Sequence, residues 1–452
     1  MHRLSRSPRR PTSRTLARTA TAALTGLATL AAGLVLAAPA DAGNRVTPGS
    51  FTGYGFDQCT APTQKAMDAW LTSSPYWAVG IYISGDSRAC TSQPNLSPTW
   101  VGTQLANGWR LLPITLGPQA SCTTRERYLH QVRINPSPAG SYAAARSQGR
   151  AEAAKTIGAA QSLGISPGST LWYDIEAFAI TKTDCRESAL TFLSGWTEQL
   201  HAQGYVSGVY SSAASGNKIL DDARATRPGV HVMPDHLWIA DWNGRADTGS
   251  SYLRSDGWTP HRRVHQYRGG HNETYGGVTI NIDTNWVDVG RGSTVAAEPR
   301  HCAGAASYNY PRYSTRRAGN TGALVSTAQC LLKAKGYYAG PVDGTYDADL
   351  SAAARRYRAA TRLPAGGTVG PRVWVSLLSR GTTPLLKFGA ASSAVRRLQR
   401  GLNAADAAGL PVTGVFEAGT TAAVKKYQRD HGLAQTGVVT TTVWSKLTAG
   451  TP

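Results

Sequence analysis

From residue 51 to about 290, short apolar runs rich in β-branched and aromatic residues alternate with stretches of helical periodicity. The pattern predicts strands at 54–58, 78–84, 111–116, 170–178, 206–211, 237–242, 264–267 and 278–287, and helices at 63–71, 98–106, 142–163 and 187–201. Strands alternating with helices over about 250 residues predict an α/β fold, a (β/α)8 barrel of the TIM type rather than an open doubly wound sheet. The last helices are faint, which leaves an incomplete barrel as the alternative.

The tail follows a different pattern. Sliding it by 70 positions superposes Val325 on Val395, Gln329 on Gln399, Gly344 on Gly414, Tyr357 on Tyr427 and Trp374 on Trp444, so two copies of one unit lie in tandem. Each copy has helical spacing at both ends, Gly turns between, and a final Trp-x-x-Leu helix. Leu332, Leu402, Trp374 and Trp444 are expected in the cores of these units.

The strand at 170–178 carries the first chemistry. Leu171-Trp172-Tyr173-Asp174-Ile175-Glu176-Ala177-Phe178 reads as a buried strand, yet it holds two acids two positions apart, on one face by alternation. Like charges in a partly dry site push one carboxyl's pKa up, and an acid beside an ionised carboxylate is the pair that glycoside cleavage uses. In a barrel of this type function sits at the strands' C-terminal ends. There the sequence places Asp57, the pair Asp174 and Glu176, Asp241 beside Trp242, Gln266-Tyr267, and Asp283 with Asn285. This convergence predicts a carbohydrate-cleaving site. Trp242, where the chain turns, is the expected sugar platform, while Tyr173, Trp238, Tyr267 and Trp286 read as core rings. His265 reads as a structural histidine, having no partner that would make it a base.

Ahead of the barrel, Arg3, Arg6, Arg9, Arg10, Arg14 and Arg18 precede an Ala/Leu-rich run from Ala20 to Ala38, and Ala40-Asp41-Ala42 supplies a small-x-small site. This predicts a signal peptide over 1–42 and export, with a soluble or wall-bound chain and no membrane segment after cleavage. The Arg9-Arg10 pair raises the twin-arginine route, although the residues after it do not fit the usual context. In an oxidising compartment, six cysteines without a C-x-x-C pair or His cluster read as disulfides, not metal ligands. Cys59, Cys90, Cys122 and Cys185 follow successive strands, so Cys59 is expected to pair with Cys90, Cys122 with Cys185, and Cys302 with Cys330 at the linker. No metal or cofactor is expected.

Charge separates the parts. The chain carries a net of +20, and residues after 299 hold 20 Lys and Arg against 6 Asp and Glu. Residues 43–299 hold 21 against 20 and are almost neutral. The expected organisation is a barrel at 43–290, a Gly/Ser/Ala/Pro-containing linker at 291–311, and repeats at 312–380 and 384–450.

The first region resembles the glycoside hydrolase-like barrels of actinobacterial exported proteins, a group similar to the family 25 lysozymes. The shared residues are Gly55-Phe56-Asp57, Asp174-Ile175-Glu176, Gln266-Tyr267 and Ile282-Asp283-Thr284-Asn285. The resemblance implies that Glu176 is the general acid, that Asp174 stabilises charge at the sugar ring, and that Asp57 and Asp283 shape the sugar floor and tune the acid. Asp241, Trp242, Gln266, Tyr267 and Asn285 are the expected substrate contacts. Asp241 and Gln58-Cys59 depart from the lysozyme pattern. The tail copies resemble peptidoglycan-binding type-1 repeats, small three-helix units, through Val395-Arg396-Arg397-Leu398-Gln399, Gly414-Val415-Phe416, Ala423-Val424-Lys425-Lys426-Tyr427-Gln428 and Val443-Trp444-Ser445-Lys446-Leu447.

The expected protein is therefore a secreted or wall-associated glycoside hydrolase, a monomer, cleaving a β-1,4 bond of peptidoglycan and held by its repeats on peptidoglycan and anionic wall polymers. The alternative is a carbohydrate-binding protein of the same shape without activity. A stem-peptide hydrolase would need a zinc-binding histidine set or a Cys/His pair, and neither is found. Nucleic acid is excluded as partner of the basic tail by export and by the absence of a nucleic-acid-binding signature.

Overall fold

The computed structural model describes residues 44–452, so the proposed signal peptide and its cleavage after Ala42 lie outside the described residues. The first region runs β1 (Phe51–Asp57), α1 (Gln64–Ser73), β2 (Ala78–Ser84), α2 (Pro98–Ala106), β3 (Arg110–Thr115), α3 (Glu126–Leu129), α4 (Ala139–Ser162), β4 (Thr170–Asp174), α5 (Thr183–Ala202), β5 (Val206–Ser212), α6 (Lys218–Thr226), β6 (His236–Ala240), β7 (Arg262–Tyr275) and β8 (Val278–Val289). Helix starts follow local capping chemistry. Thr63 accepts from the Ala66 amide to open α1, and Ser97 does the same for Trp100 with Pro98 at the first helical position of α2.

The eight strands close into a barrel in chain order. β1 to β7 are parallel, whereas β8 runs antiparallel between β7 and β1. This differs from a strict (β/α)8 plan, and the reason is local. Gly276 and Gly277 both take positive φ and turn β7 straight into β8 as a two-residue hairpin, which leaves no crossover to hold a helix. No helix lies between β6 and β7 among the described residues, in keeping with the faint helical signal there.

Alternation sorts the side chains. One set fills the lumen with Phe51, Leu112, Ile114, Trp172, Trp238, Val264, Val287 and Val289, and the other set, including Phe56, Ile81, Tyr173 and Val209, packs against the surrounding helices. Two lumen positions must be glycine. A Cβ on Gly208 would collide with the Trp172 indole, and one on Gly80 with the Asp57 side chain. The three disulfides formed are Cys59–Cys90, Cys122–Cys185 and Cys302–Cys330; the first joins the loops after β1 and β2, and the second joins the loop after β3 to the first turn of α5.

The tail forms α7 (Ala323–Ala334), α8 (Ala348–Ala360), α9 (Pro371–Ser379), α10 (Ser393–Asp406), α11 (Ala418–Asp430) and α12 (Thr441–Thr448). The helix starts of the two copies are offset by the same 70 residues as the sequence repeat. Interactions repeat with them. Gln329 accepts from the Gly344 amide and Gln399 from that of Gly414, while the Trp374 indole donates to Ser314 O and that of Trp444 to Pro384 O. Leu332, Leu402, Trp374 and Trp444 lie buried in one core shared by both copies.

The second copy is docked on the barrel. Lys387, 1 % exposed, donates from Nζ to Leu71 O (2.9 Å) and Ser74 O (3.3 Å) at the C-terminal end of α1, with the Trp109 and Trp77 rings 4.9 and 5.5 Å from the nitrogen. Burial pushes its ammonium well below the usual lysine range, while the helix-end carbonyls and indole faces favour the cation. Phe388 packs on Tyr54 and Trp286, and the linker is tied down by Ser293 on Gly389 O, Arg396 on Ala296 O and Arg400 on Glu298. Replacing Lys387 by Met leaves two buried carbonyls without a donor, a loss of about 2 kcal/mol. Trypsin cleavage at Arg291 and Arg300 should then accelerate by roughly 30-fold if cutting follows undocking, measured by the rate of band loss on gels. An unchanged rate would show that Lys387 does not hold the interface.

Candidate active site

Above the Trp172 and Trp238 layer, the lumen-facing positions of the strands become polar. β1 contributes Asp57, β2 Tyr82, β4 Asp174, β5 Tyr210, β7 Gln266 and β8 Asp283 and Asn285. Register brings the two acids of neighbouring strands together, since Asp57 on β1 pairs with Asp283 on β8 and Gly55 with Asn285. Asp283 therefore reaches the mouth because β8 enters there, not because it ends there.

A chain of hydrogen bonds orients these groups. The Trp238 indole donates to Asn285 Oδ1 (2.7 Å), which turns the Asn285 amide nitrogen onto Asp57 Oδ1 (2.6 Å). Tyr210 hydroxyl and the Trp242 indole both donate to Gln266 Oε1 (3.0 Å each), which turns the Gln266 amide nitrogen onto both Asp57 oxygens and Asp283. Tyr82 hydroxyl donates to Asp174 Oδ2 (3.3 Å), and Asp174 Oδ1 is buried without a partner among the described residues.

β4 stops at Asp174 rather than running to Phe178, so Glu176 stands on the exit from the strand. Gln119, just past β3, holds that exit. Its amide donates to Asp174 O (2.9 Å) and its carbonyl accepts from the Glu176 amide (2.8 Å). The Glu176 carboxylate is 19 % exposed and pairs through Oε2 with Arg125 Nη2 at 3.1 Å.

Burial first, then the charge of Asp283, push the Asp57 carboxyl up to about 8, against the pull of the Asn285 and Gln266 amides. Burial and the Glu176 charge hold Asp174 well above the usual carboxylate range, and burial raises Asp283 as well. Burial thus favours the protonated form of the floor carboxyls, Asp57 above all.

Two cavities open at the mouth. One, of about 180 Å³, is lined by Asp57, Asp283, Tyr82, Arg88, Arg127 and Glu176; the other, of about 320 Å³, by Glu176, Arg125, Tyr210, Asp241, Trp242 and Tyr252. Glu176 lines both. Trp242 is 66 % exposed, and Asp241 accepts from Ser250 at the edge of the second cavity.

Other expected contacts lie elsewhere. Asn285 and Asp174 are fully or almost fully buried, so Asn285 acts on Asp57 rather than facing a ligand, and Asp174 lines neither cavity. Tyr267 sits on the face of β7 opposite Gln266, near His265. Both nitrogens of His265 lie against backbone carbonyls of Asp247 and Asp241, a structural placement. Sequence reading missed Gln119, Tyr82, Tyr210 and the arginines. Inward parity at strand tops could have found the tyrosines, whereas Arg88 and Arg125 come from loops and Arg127 from the four-residue α3.

The described residues contain no group of three or more His, Cys, Asp or Glu arranged to hold a metal. Residues 68–287 match the family model of the Rv2525c-like, glycoside hydrolase-like domain, and residues 321–377 and 391–447 each match that of a putative peptidoglycan binding domain. No curated protein matches the chain. A 1.07 Å crystal structure of an uncharacterised B. stearothermophilus protein is similar at 19% identity over 52% of this chain and 95% of that one, with a TM-score of 0.33. The Mycobacterium tuberculosis Tat-secreted protein Rv2525c, solved with HEPES, is similar at 13% identity over 53% and 97%, with a TM-score of 0.35. The chain is a cell-wall-associated, glycoside hydrolase-like protein with peptidoglycan-binding repeats.

A carboxyl raised from 3.8 to about 8 binds its proton more tightly in the fold, so its contribution to stability is present below about pH 4 and is lost as pH rises towards 8. Asp57→Asn should remove that term. Between pH 4 and 8 the thermal midpoint of the wild type should fall relative to that of the variant, by scanning fluorimetry, and parallel curves would show that Asp57 is not raised.

Proposed function

We propose that this chain, an Rv2525c-like glycoside hydrolase-like barrel followed by two peptidoglycan-binding repeats, is an exported hydrolase of the peptidoglycan glycan. The observation that carries the reading is the position of Glu176 between two cavities, with Asp57 and Asp283 on the floor of one and the exposed Trp242 in the other. A glycan laid across both cavities puts a glycosidic oxygen at Glu176. The carboxyl gives that oxygen its proton as the C–O bond breaks, the positive charge on the anomeric carbon is met by the one negative charge that Asp57 and Asp283 share, and water supplies the new hydroxyl and returns its proton to Glu176. The N-terminal segment directs export, and the tail, with its net of +14, brings the protein to the anionic wall.

The second reading, sugar binding without cleavage, is favoured by two features. Arg125 occupies Glu176 Oε2, and Asp174 lies below the cavities with one oxygen buried and unpartnered. Mass spectrometry of purified sacculi after incubation separates the two, since new reducing ends mark a hydrolase.

Glu176→Gln preserves shape but removes the donated proton, and should cost on the order of 10²-fold or more in reducing-end release while sedimentation with sacculi persists. Equal release by variant and wild type removes Glu176 as the acid. Retention of the full-length protein on sacculi should weaken without vanishing as salt rises, because screening over about 8 Å at physiological ionic strength reduces attraction but not the fit of a groove. Retention that salt leaves untouched would show that the basic tail plays no electrostatic part.

A further inference from the structure

The first cavity has a charge arrangement that the cleavage scheme does not use. The same small cavity is lined by the acids Asp57, Asp283 and Glu176 and by Arg88, from the loop after β2, and Arg127, from α3. Among the described residues neither guanidinium lies within ion-pair distance of any carboxylate. Arginines set free in an acidic cavity would collapse onto the acids if their loops allowed it.

The loops do not allow it. Arg88 Nε donates to Gly85 O (2.8 Å), and Arg127 donates to Ser87 O and lies over the Tyr128 ring, 5.2 Å from its centroid. The carrying loop is itself anchored by the Cys59–Cys90 bridge and by the Ser87 amide on Leu116 O. Each guanidinium therefore spends one donor on holding its direction and keeps the others for a ligand. Arg88 is partly buried, and burial pulls its guanidinium below the usual arginine range, which an anion would relieve.

We propose that the first cavity takes a carboxylate-bearing pyranose, the carboxylate bridging Arg88 and Arg127 while the ring lies over Asp57 and Asp283 and the next, uncharged sugar stacks on Trp242. A planar carboxylate matches the guanidinium fork, and a single negative charge suits a cavity that also holds three acids better than a phosphate dianion does. The carboxylate can sit on the ring, as in a uronic acid, or on a lactyl ether, as in muramic acid that carries no stem peptide. The inference rests on the reading of the two cavities as one glycan groove, and it fixes the direction in which the glycan lies.

Calorimetry on the full-length Glu176→Gln protein tests it without turnover. The probes are a muramic-acid-containing disaccharide with free lactyl carboxylate and a hexuronic-acid oligosaccharide, each beside its carboxyl-reduced form. At least one carboxylated probe should bind about tenfold tighter than its reduced form, and the one that does identifies the source. Arg88→Gln with Arg127→Gln should close that gap to within about twofold, and each single variant should narrow it if the double variant does not fold. Equal binding of both forms, a gap that survives the substitutions, or binding of neither probe at millimolar concentration overturns the proposal; so does phosphate displacing the carboxylated probe better than acetate. Reducing-end release by the wild type without carboxylate preference leaves the hydrolase reading standing, and preference without release removes only that reading.

Discussion

Closing the sheet with an antiparallel β8 sets the chemistry of this barrel. The two-glycine turn at Gly276 and Gly277 sends the chain back along β7, and the resulting register places Asp283 beside Asp57 and Asn285 beside Gly55. Had β8 run parallel, the segment from Ile282 to Asn285 would have kept its alternation but lost these partners. From that pairing follow the contact of Asn285 with Asp57, the anchoring of Asn285 by Trp238, and the double role of Gln266. Side-chain networks of this kind are costly when half satisfied, so the lumen has to be filled to the right height first. Trp172 and Trp238 do that, and Gly80 and Gly208 make room for Asp57 and Trp172.

Above this floor the site divides its acids by environment. Burial raises Asp57, Asp174 and Asp283, helped at Asp57 by the charge of Asp283 and at Asp174 by that of Glu176, whereas Glu176 stands at the rim with Arg125. Arg88 and Arg127 bring the opposite charge into the same cavity without pairing with its acids, each donating to a backbone carbonyl instead. Proton transfer and recognition of an anionic substituent can then operate in one small volume.

The two tail repeats share a fold but not a role. The positions of Lys387 and Phe388, which dock the second repeat, are occupied in the first by Arg317 and Ala318. Arg400, which binds Glu298 of the linker, is matched in the first repeat by Cys330, which bonds Cys302. The same helix position thus pins the linker twice, once by charge and once covalently. The residues after 290 are consequently no free spacer, and the direction in which the repeats present themselves to the wall is set relative to the barrel.

Periodicity by itself determined the order of the eight strands and of four of the helices between them, since burial of one face imposes period two on strands and 3.6 on helices regardless of what lies opposite, while the short α3 and α6 escaped it. The 70-residue offset likewise determined the paired helices of the tail, and strand order sufficed to match Cys59 with Cys90 and Cys122 with Cys185. The acids were legible because carboxylates inside apolar runs stand out. Their roles were not. Asn285 and Tyr267 were read as sugar contacts, yet one serves Asp57 beneath the surface and the other faces away from Gln266, because hydrogen-bond partners across strands depend on register. Arg88, Arg125, Arg127 and Gln119 came only with the tertiary structure. Loops and a four-residue helix carry no periodic signal, and what places these residues near Glu176 is the closure of the barrel, which brings segments about 50 to 90 residues apart to one mouth.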